Sequence, residues 1–224
     1  MKIVLDHGII CSILEKMGGY QNISGIVSFT EISKHLNKKE INLIRKFLEL
    51  DPRRFGFRGE FFGINGSPAN LVPIMGQKYK VKGNEKIIKT QYLPTPIWLA
   101  YWKMNEAFCG ETGRKLLINS GYRSPACQVL TFFHYLKLHE FDFAKTMAGV
   151  ALPGYSEHGN PENQAIDFMT VDGIPSDKTP NGFEKTNEFR WLTKHGRKFG
   201  FVMSYPPNNN YGIKFEPWHW RYEK

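Results

Sequence analysis

Cysteine is scarce in this chain: Cys11, Cys109 and Cys127 are the only three in 224 residues. An odd number at wide spacing excludes a disulfide framework, and no Cys-x-x-Cys pair offers a thiolate metal site. Reduced, mostly buried thiols in a cytosol-compatible protein are expected. Long apolar runs are missing as well, since no stretch reaches the roughly 18 apolar residues needed to span a bilayer. The opening run, MKIVLDHGIICSILEKMGGY, is broken by Asp6 and His7. No small-residue cleavage signal follows a clean apolar core, so no secretory leader is expected. Repeats at solenoid spacing and heptads are absent, which excludes quasi-one-dimensional architectures.

What is present is globular. Apolar residues make up 41% and aromatics 14% of the chain, enough for a substantial core. Net charge is +9 and unevenly spread: residues 1–90 carry fifteen Lys/Arg against eight Asp/Glu, and residues 91–224 fifteen against thirteen. A basic first part is compatible with a polyanionic partner, although a basic solvated surface explains it equally well.

Residues 9–17 read as a short helix stopped by Gly18-Gly19. Ser28 with Glu31 and Asn37 with Glu40 have capping-box spacing, the second ahead of Ile41, Ile44, Phe47 and Leu48 at helical intervals. This basic helix pair superficially resembles a helix-turn-helix, but plain packing is the favoured reading over nucleic-acid binding. RRFGFRGEFFG is expected to give a strand or hairpin, and residues 63–86 loops with short strands. Pro94 or Pro96 starts a helix with an apolar stripe over 96–109. Helical patterns follow over 127–148 and 186–198. Strands are expected in KLLINSGYRS, AIDFMTV, FGFVMSYPP and YGIKFEPWHW. Helices mixed with strands that lack βαβ spacing indicate α+β. The chain is divided into residues 1–90, a small basic and mainly helical accessory region, and residues 91–224, the chemistry-bearing domain.

Three segments carry the chemistry: SGYRSPACQ, SEHGNPENQAID and EPWHW, beginning at Ser120, Ser156 and Glu216. His158 and His219 offer imidazoles and Asp167 a carboxylate, a donor set suited to catalytic zinc with one position left for water or substrate. Taken singly, each residue is as well explained by capping or buried hydrogen bonding.

In their motifs and order, the segments resemble the zinc D-Ala-D-Ala carboxypeptidases and dipeptidases, the VanY/VanX-like group of the peptidase M15 family. The resemblance covers residues 95–224 and rests on Ser120-Gly121-Tyr122-Arg123-Ser124, on Ser156 through Asp167, and on Glu216-Pro217-Trp218-His219. It implies a fold with a central antiparallel sheet flanked by helices and one Zn2+ per chain, held by His158, Asp167 and His219. Glu216 would be the catalytic carboxylate. Arg123 would anchor substrate and stabilise developing charge. Ser156, Gln128, Tyr122 and Trp218 would lie along the substrate, with core packing an equal explanation for the two aromatics. The implied substrate is a peptidoglycan stem peptide, most directly its D-Ala-D-Ala terminus. The rivals are an L,D- or other cell-wall endopeptidase and a catalytically weak protein binding cell wall or nucleic acid. A cytoplasmic product that acts at the wall without its own leader is the expected location, and oligomeric state is left open.

One departure stands out. The family pattern has six residues between the metal His and Asp, whereas eight, GNPENQAI, separate His158 from Asp167. Asn163 falls where the pattern has glycine and can adopt a left-handed backbone. Gly159-Asn160-Pro161 would absorb the extra length.

Overall fold

The computed structural model describes residues 5–64, 68, 70–160, 162–175 and 180–223. Among them, in chain order, lie α1 (His7–Lys16), α2 (Phe29–Ser33), α3 (Lys38–Leu48), β1 (Leu71–Ile74), β2 (Lys78–Val81), β3 (Asn84–Ile87), β4 (Gln91–Pro94) and α4 (Thr95–Thr112). They are followed by β5 (Leu117–Ser120), α5 (Pro125–Leu138), α6 (Phe143–Met147), β6 (Ala165–Met169), α7 (Asn187–His195), β7 (Phe201–Met203) and β8 (His219–Tyr222). The class is α+β, as expected, and every strand pairing is antiparallel.

The chain forms two compact units, and they interleave. The first comprises Met1–Gly66, Arg123–Ser156 and Asn209–Lys214; the second Ser67–Tyr122, Glu157–Asn208 and Phe215–Lys224. This differs from the linear division expected at residue 90. The reason is α5, whose buried Phe132 and Phe133 pack on Phe47 of α3 at ring-centroid distances of 5.1 and 4.9 Å. An apolar helix goes where its face is covered, whatever its place in the sequence.

Within the first unit both capping boxes form as their spacing predicts, Ser28 with Glu31 and Asn37 with Glu40. Glu40 does more than cap. It is 2% exposed and accepts from Ser12 Oγ at 2.7 Å and Lys16 Nζ at 2.8 Å, tying α3 to α1. Burial alone would raise its carboxyl, but Lys16, the Asn37 amide and Ser12 outweigh burial and hold it below the ordinary value. RRFGFRGEFFG does not form the expected strand. Asp51 caps a single 3-10 turn at Pro52–Phe55, and Gly56 ends it with φ 88°. Residues 57–63 are irregular, with Phe57 and Phe61 packed on Tyr155. The 127–148 pattern resolves into α5 and α6, because Asp142 caps the second helix separately.

The second unit is built on a four-stranded sheet ordered β5-β6-β8-β7. The α4 stripe Ile97, Tyr101, Met104 and Phe108, spaced at helical intervals, packs on its core together with Trp191 and Leu192 of α7. The Tyr101 hydroxyl donates to Leu116 O at 2.7 Å, and burial pushes its phenol upward. Of YGIKFEPWHW only its last two residues enter a strand, β8; Pro217 and Trp218 form the preceding turn.

Candidate metal centre

Strand parity puts the chemistry on one face of the sheet. Ile166 and Phe168 of β6 and Trp220 of β8 join the apolar core. Side chains alternate along a strand, so Asp167, His219 and Arg221 face the other way. Asp167 and His219 are also register partners, which brings two residues 52 positions apart into direct apposition.

His158 comes from a 3-10 turn, Glu157–Gly159. His158, Asp167 and His219 each offer one donor atom, and these atoms lie within 4.8 Å of one another. Asp167 divides its carboxylate between the rings: Oδ1 lies 2.8 Å from His219 Nδ1 and Oδ2 lies 3.1 Å from His158 Nε2. All three residues are at most 8% exposed. Glu216 stands beside them, Oε2 3.8 Å from His219 Nδ1.

The carboxylates of this cluster favour positive charge among them. Burial alone would lower the pKa of His219, but hydrogen bonds and charge from Asp167 and Glu157 outweigh it and raise it to about 10. Asp167 is correspondingly held well below the usual carboxylate range: burial would raise it, and the two imidazoles prevail.

A divalent cation fits the donors. His158 Nδ1 lies 2.9 Å from the carbonyl oxygen of Gly121, an acceptor only, so that nitrogen carries the ring's hydrogen. In the neutral ring the lone pair of Nε2 then faces a carboxylate oxygen at 3.1 Å. Two lone pairs so placed repel unless a cation lies between them. Two buried imidazoles and one carboxylate with converging atoms match the donor types and number of a three-ligand catalytic zinc site.

Three contributors escape a reading of the sequence. The Gly121 carbonyl orients His158, and Gly121 is required there: a Cβ would meet Tyr92 O at 2.5 Å. Tyr205 stacks on His219 with centroids 4.8 Å apart. Glu157 Oε2 lies 2.9 Å from His219 Nε2, on the side of the ring away from Asp167. The only signal for Glu157 was its place next to His158, and an acid in a polar loop ordinarily points to solvent.

The remaining motif residues are placed as follows. Arg123, Gln128 and Ser156 belong to the first unit and the candidate metal donors to the second. Gln128 is 2% exposed; its Oε1 accepts from Arg123 Nη1 at 3.0 Å and its Nε2 donates to Ala151 O at 2.7 Å. Its amide is thus engaged with Arg123 and the backbone. Tyr122 is 1% exposed, which favours packing of the two roles its position left open. Trp218 is partly buried against the apolar core.

The expanded loop closes differently from expectation. Asn163 is not among the residues with positive φ. Instead the Asn160 side chain accepts from the amides of Glu162 at 3.0 Å and Asn163 at 3.1 Å, an Asx turn that gathers the extra residues. Pro161 lies outside the described residues.

YodJ of Bacillus subtilis (strain 168) is 29% identical over 179 residues, covering 70% of this chain and 61% of that protein. The D-alanyl-D-alanine carboxypeptidase of Enterococcus faecalis (strain ATCC 700802 / V583) is 40% identical over 81 residues, 35% of this chain and 26% of that enzyme. The chain therefore spans less than two thirds of either relative. Among solved structures, the LdcB LD-carboxypeptidase superposes with a TM-score of 0.55 at 27% identity, covering 76% of this chain and 77% of that one. The VanY family, described as D-alanyl-D-alanine carboxypeptidase, matches residues 90–224, well over half of the sequence. With that match, inside which the His158, Asp167 and His219 cluster, Glu216 and Arg123 all fall, the chain belongs to the VanY family.

Proposed function

We propose that this protein is a zinc-dependent carboxypeptidase that removes the terminal D-Ala from peptidoglycan stem peptides, with one zinc per chain. The observation that carries the reading is the convergence of His158, Asp167 and His219 donor atoms within 4.8 Å beside a glutamate.

When bound, zinc would lower the pKa of a water molecule toward neutrality and polarise the scissile carbonyl. Glu216 sits at the edge of the donor cluster with its side chain 12% exposed, so its carboxylate is accessible to water and substrate. It would accept the water proton and deliver it to the departing amine, which needs a proton to leave as a neutral group. Tyr205 and the Gly121 carbonyl hold the two imidazole rings in place. On the motif's assignment Arg123 takes the substrate's terminal carboxylate, for which its donor fork is suited, and Gln128 fixes that guanidinium.

A second reading has one specific observation in its favour: the solved structure that superposes at TM-score 0.55 is an LD-carboxypeptidase. The two share ligands and differ in the bond cut. Product analysis distinguishes them, using zinc-loaded protein on stem peptides ending in D-Ala-D-Ala, on peptides ending in an L,D bond, and on both with amidated C termini. Release of D-Ala from the free D-Ala-D-Ala peptide alone supports the first reading. Cleavage of the L,D peptide alone would replace it with the second. Equal cutting of amidated peptides would overturn carboxypeptidase action and leave an endopeptidase.

A further inference from the structure

His219 is held from two sides. Its Nδ1 faces Asp167 inside the donor cluster, and its Nε2 faces Glu157 outside it, at 2.8 and 2.9 Å. An ionised carboxylate only accepts hydrogen bonds, so Nε2 carries a hydrogen toward Glu157; Nδ1, on the side of the donor cluster with Asp167, is the atom placed to ligate a cation. Glu157 is itself 8% exposed, too buried for a solvated surface acid. Arg221, two residues beyond His219 on β8, approaches Glu157 Oε1 at 3.9 Å, while its guanidinium is also paired with Glu223.

We infer that Glu157 is a positioning residue that locks the tautomer and orientation of His219 and strengthens it as a metal ligand through a carboxylate–imidazole–metal chain. The inference rests on the zinc reading above. Its chemistry is specific. A carboxylate hydrogen-bonded to the far nitrogen of a ligating imidazole makes the near nitrogen a stronger donor and stops the ring from rotating. The two imidazoles are not treated alike: His158 gives its far hydrogen to a neutral carbonyl, that of Gly121, and His219 to a charged group. Adjacent residues therefore serve opposite purposes, His158 reaching the metal from within and Glu157 supporting the second imidazole from behind. The charge matters as well as the bond. Asp167 and Glu157 together neutralise a divalent cation.

The experiment is zinc affinity, measured by competition with a chromophoric chelator on the full chain. Glu157→Gln keeps the shape and an acceptor oxygen but loses the charge; Glu157→Ala loses both. Expected affinities fall in the order wild type, Glu157→Gln, Glu157→Ala, with a total loss of about ten- to hundredfold. The Co2+-substituted protein should change its visible absorption in the same order, which a merely structural role would not produce. His219→Ala provides the cycle: if Glu157 acts through His219, adding Glu157→Ala in that background costs nothing further. Wild-type affinity in both single variants, or fully additive losses in the double variant, would overturn the positioning role. If Glu157→Ala does not fold, the isosteric Glu157→Gln and its double variant with His219→Ala decide the matter alone. Wild-type protein that binds no zinc would instead overturn the reading beneath the inference.

Discussion

Asp167 is the residue on which the site turns, because each of its carboxylate oxygens serves a different imidazole. On the proposed reading Glu216, 3.8 Å from His219 Nδ1, is the group that moves the proton. Glu216→Ala is therefore expected to keep its zinc while hydrolysis falls by about 10²- to 10⁴-fold, the range for a lost general base. Metal analysis beside turnover checks this, and normal turnover would remove Glu216 from the chemistry. Gly121→Ala is the corresponding test of the support. A methyl there would meet Tyr92 O at 2.5 Å and displace the carbonyl that orients His158. A stability loss of about 1–3 kcal/mol with weakened zinc binding is expected, read by denaturation and by chelator competition; unchanged values for both would show that the backbone there has room. At this scale the donor cluster was legible in the sequence, since three ordered motifs name His158, Asp167 and His219, whose donor atoms lie within 4.8 Å of one another. Glu157 was not, because its partner His219 lies 62 positions away and only the strand pairing brings them together.

Among the elements, capping spacing was the most readable signal: Ser28 with Glu31 and Asn37 with Glu40 both do what their spacing implies. The hairpin expected of RRFGFRGEFFG failed because its aromatics found a loop-to-loop contact, Phe57 and Phe61 on Tyr155, in place of a cross-strand partner. Nothing local announces such a contact. The tie between α1 and α3 gives a pH-dependent prediction. Glu40's folded carboxyl is held below its unfolded value, so its contribution is complete above the unfolded pKa and disappears as pH falls through the folded one. Glu40→Gln should lose about 1–2 kcal/mol at neutral pH, Lys16 being partly exposed. The gap between wild type and variant should close in acid below the ordinary carboxylate range. Urea midpoints at several pH values measure it, and a gap independent of pH would refute the charged tie.

For the whole molecule, interleaving is the property the sequence concealed. Motifs and composition suggested a cut near residue 90, yet the buried face of α5 belongs with α1 and α3 in the first unit. A fragment of residues 91–224 would expose Phe132, Phe133 and Leu136, and is expected to self-associate and bind apolar dyes. A monomeric fragment with a cooperative melt would contradict this. Zinc should stabilise the intact chain by mass action, about 2.7 kcal/mol when free metal is a hundred times its dissociation constant. A melting temperature indifferent to chelation would argue against a bound ion in the native state. Tolerance of insertions also differs along the chain. On β8, His219 and Arg221 face the site while Trp220 fills the core. One residue added between His219 and Trp220 would therefore turn either the imidazole into the core or the indole toward the donor cluster. The stretch from Gly159 to Gln164 has no such alternation to protect, and the Asn160 turn can gather slack. The chain's two extra residues lie in the stretch where added length leaves both strand faces intact.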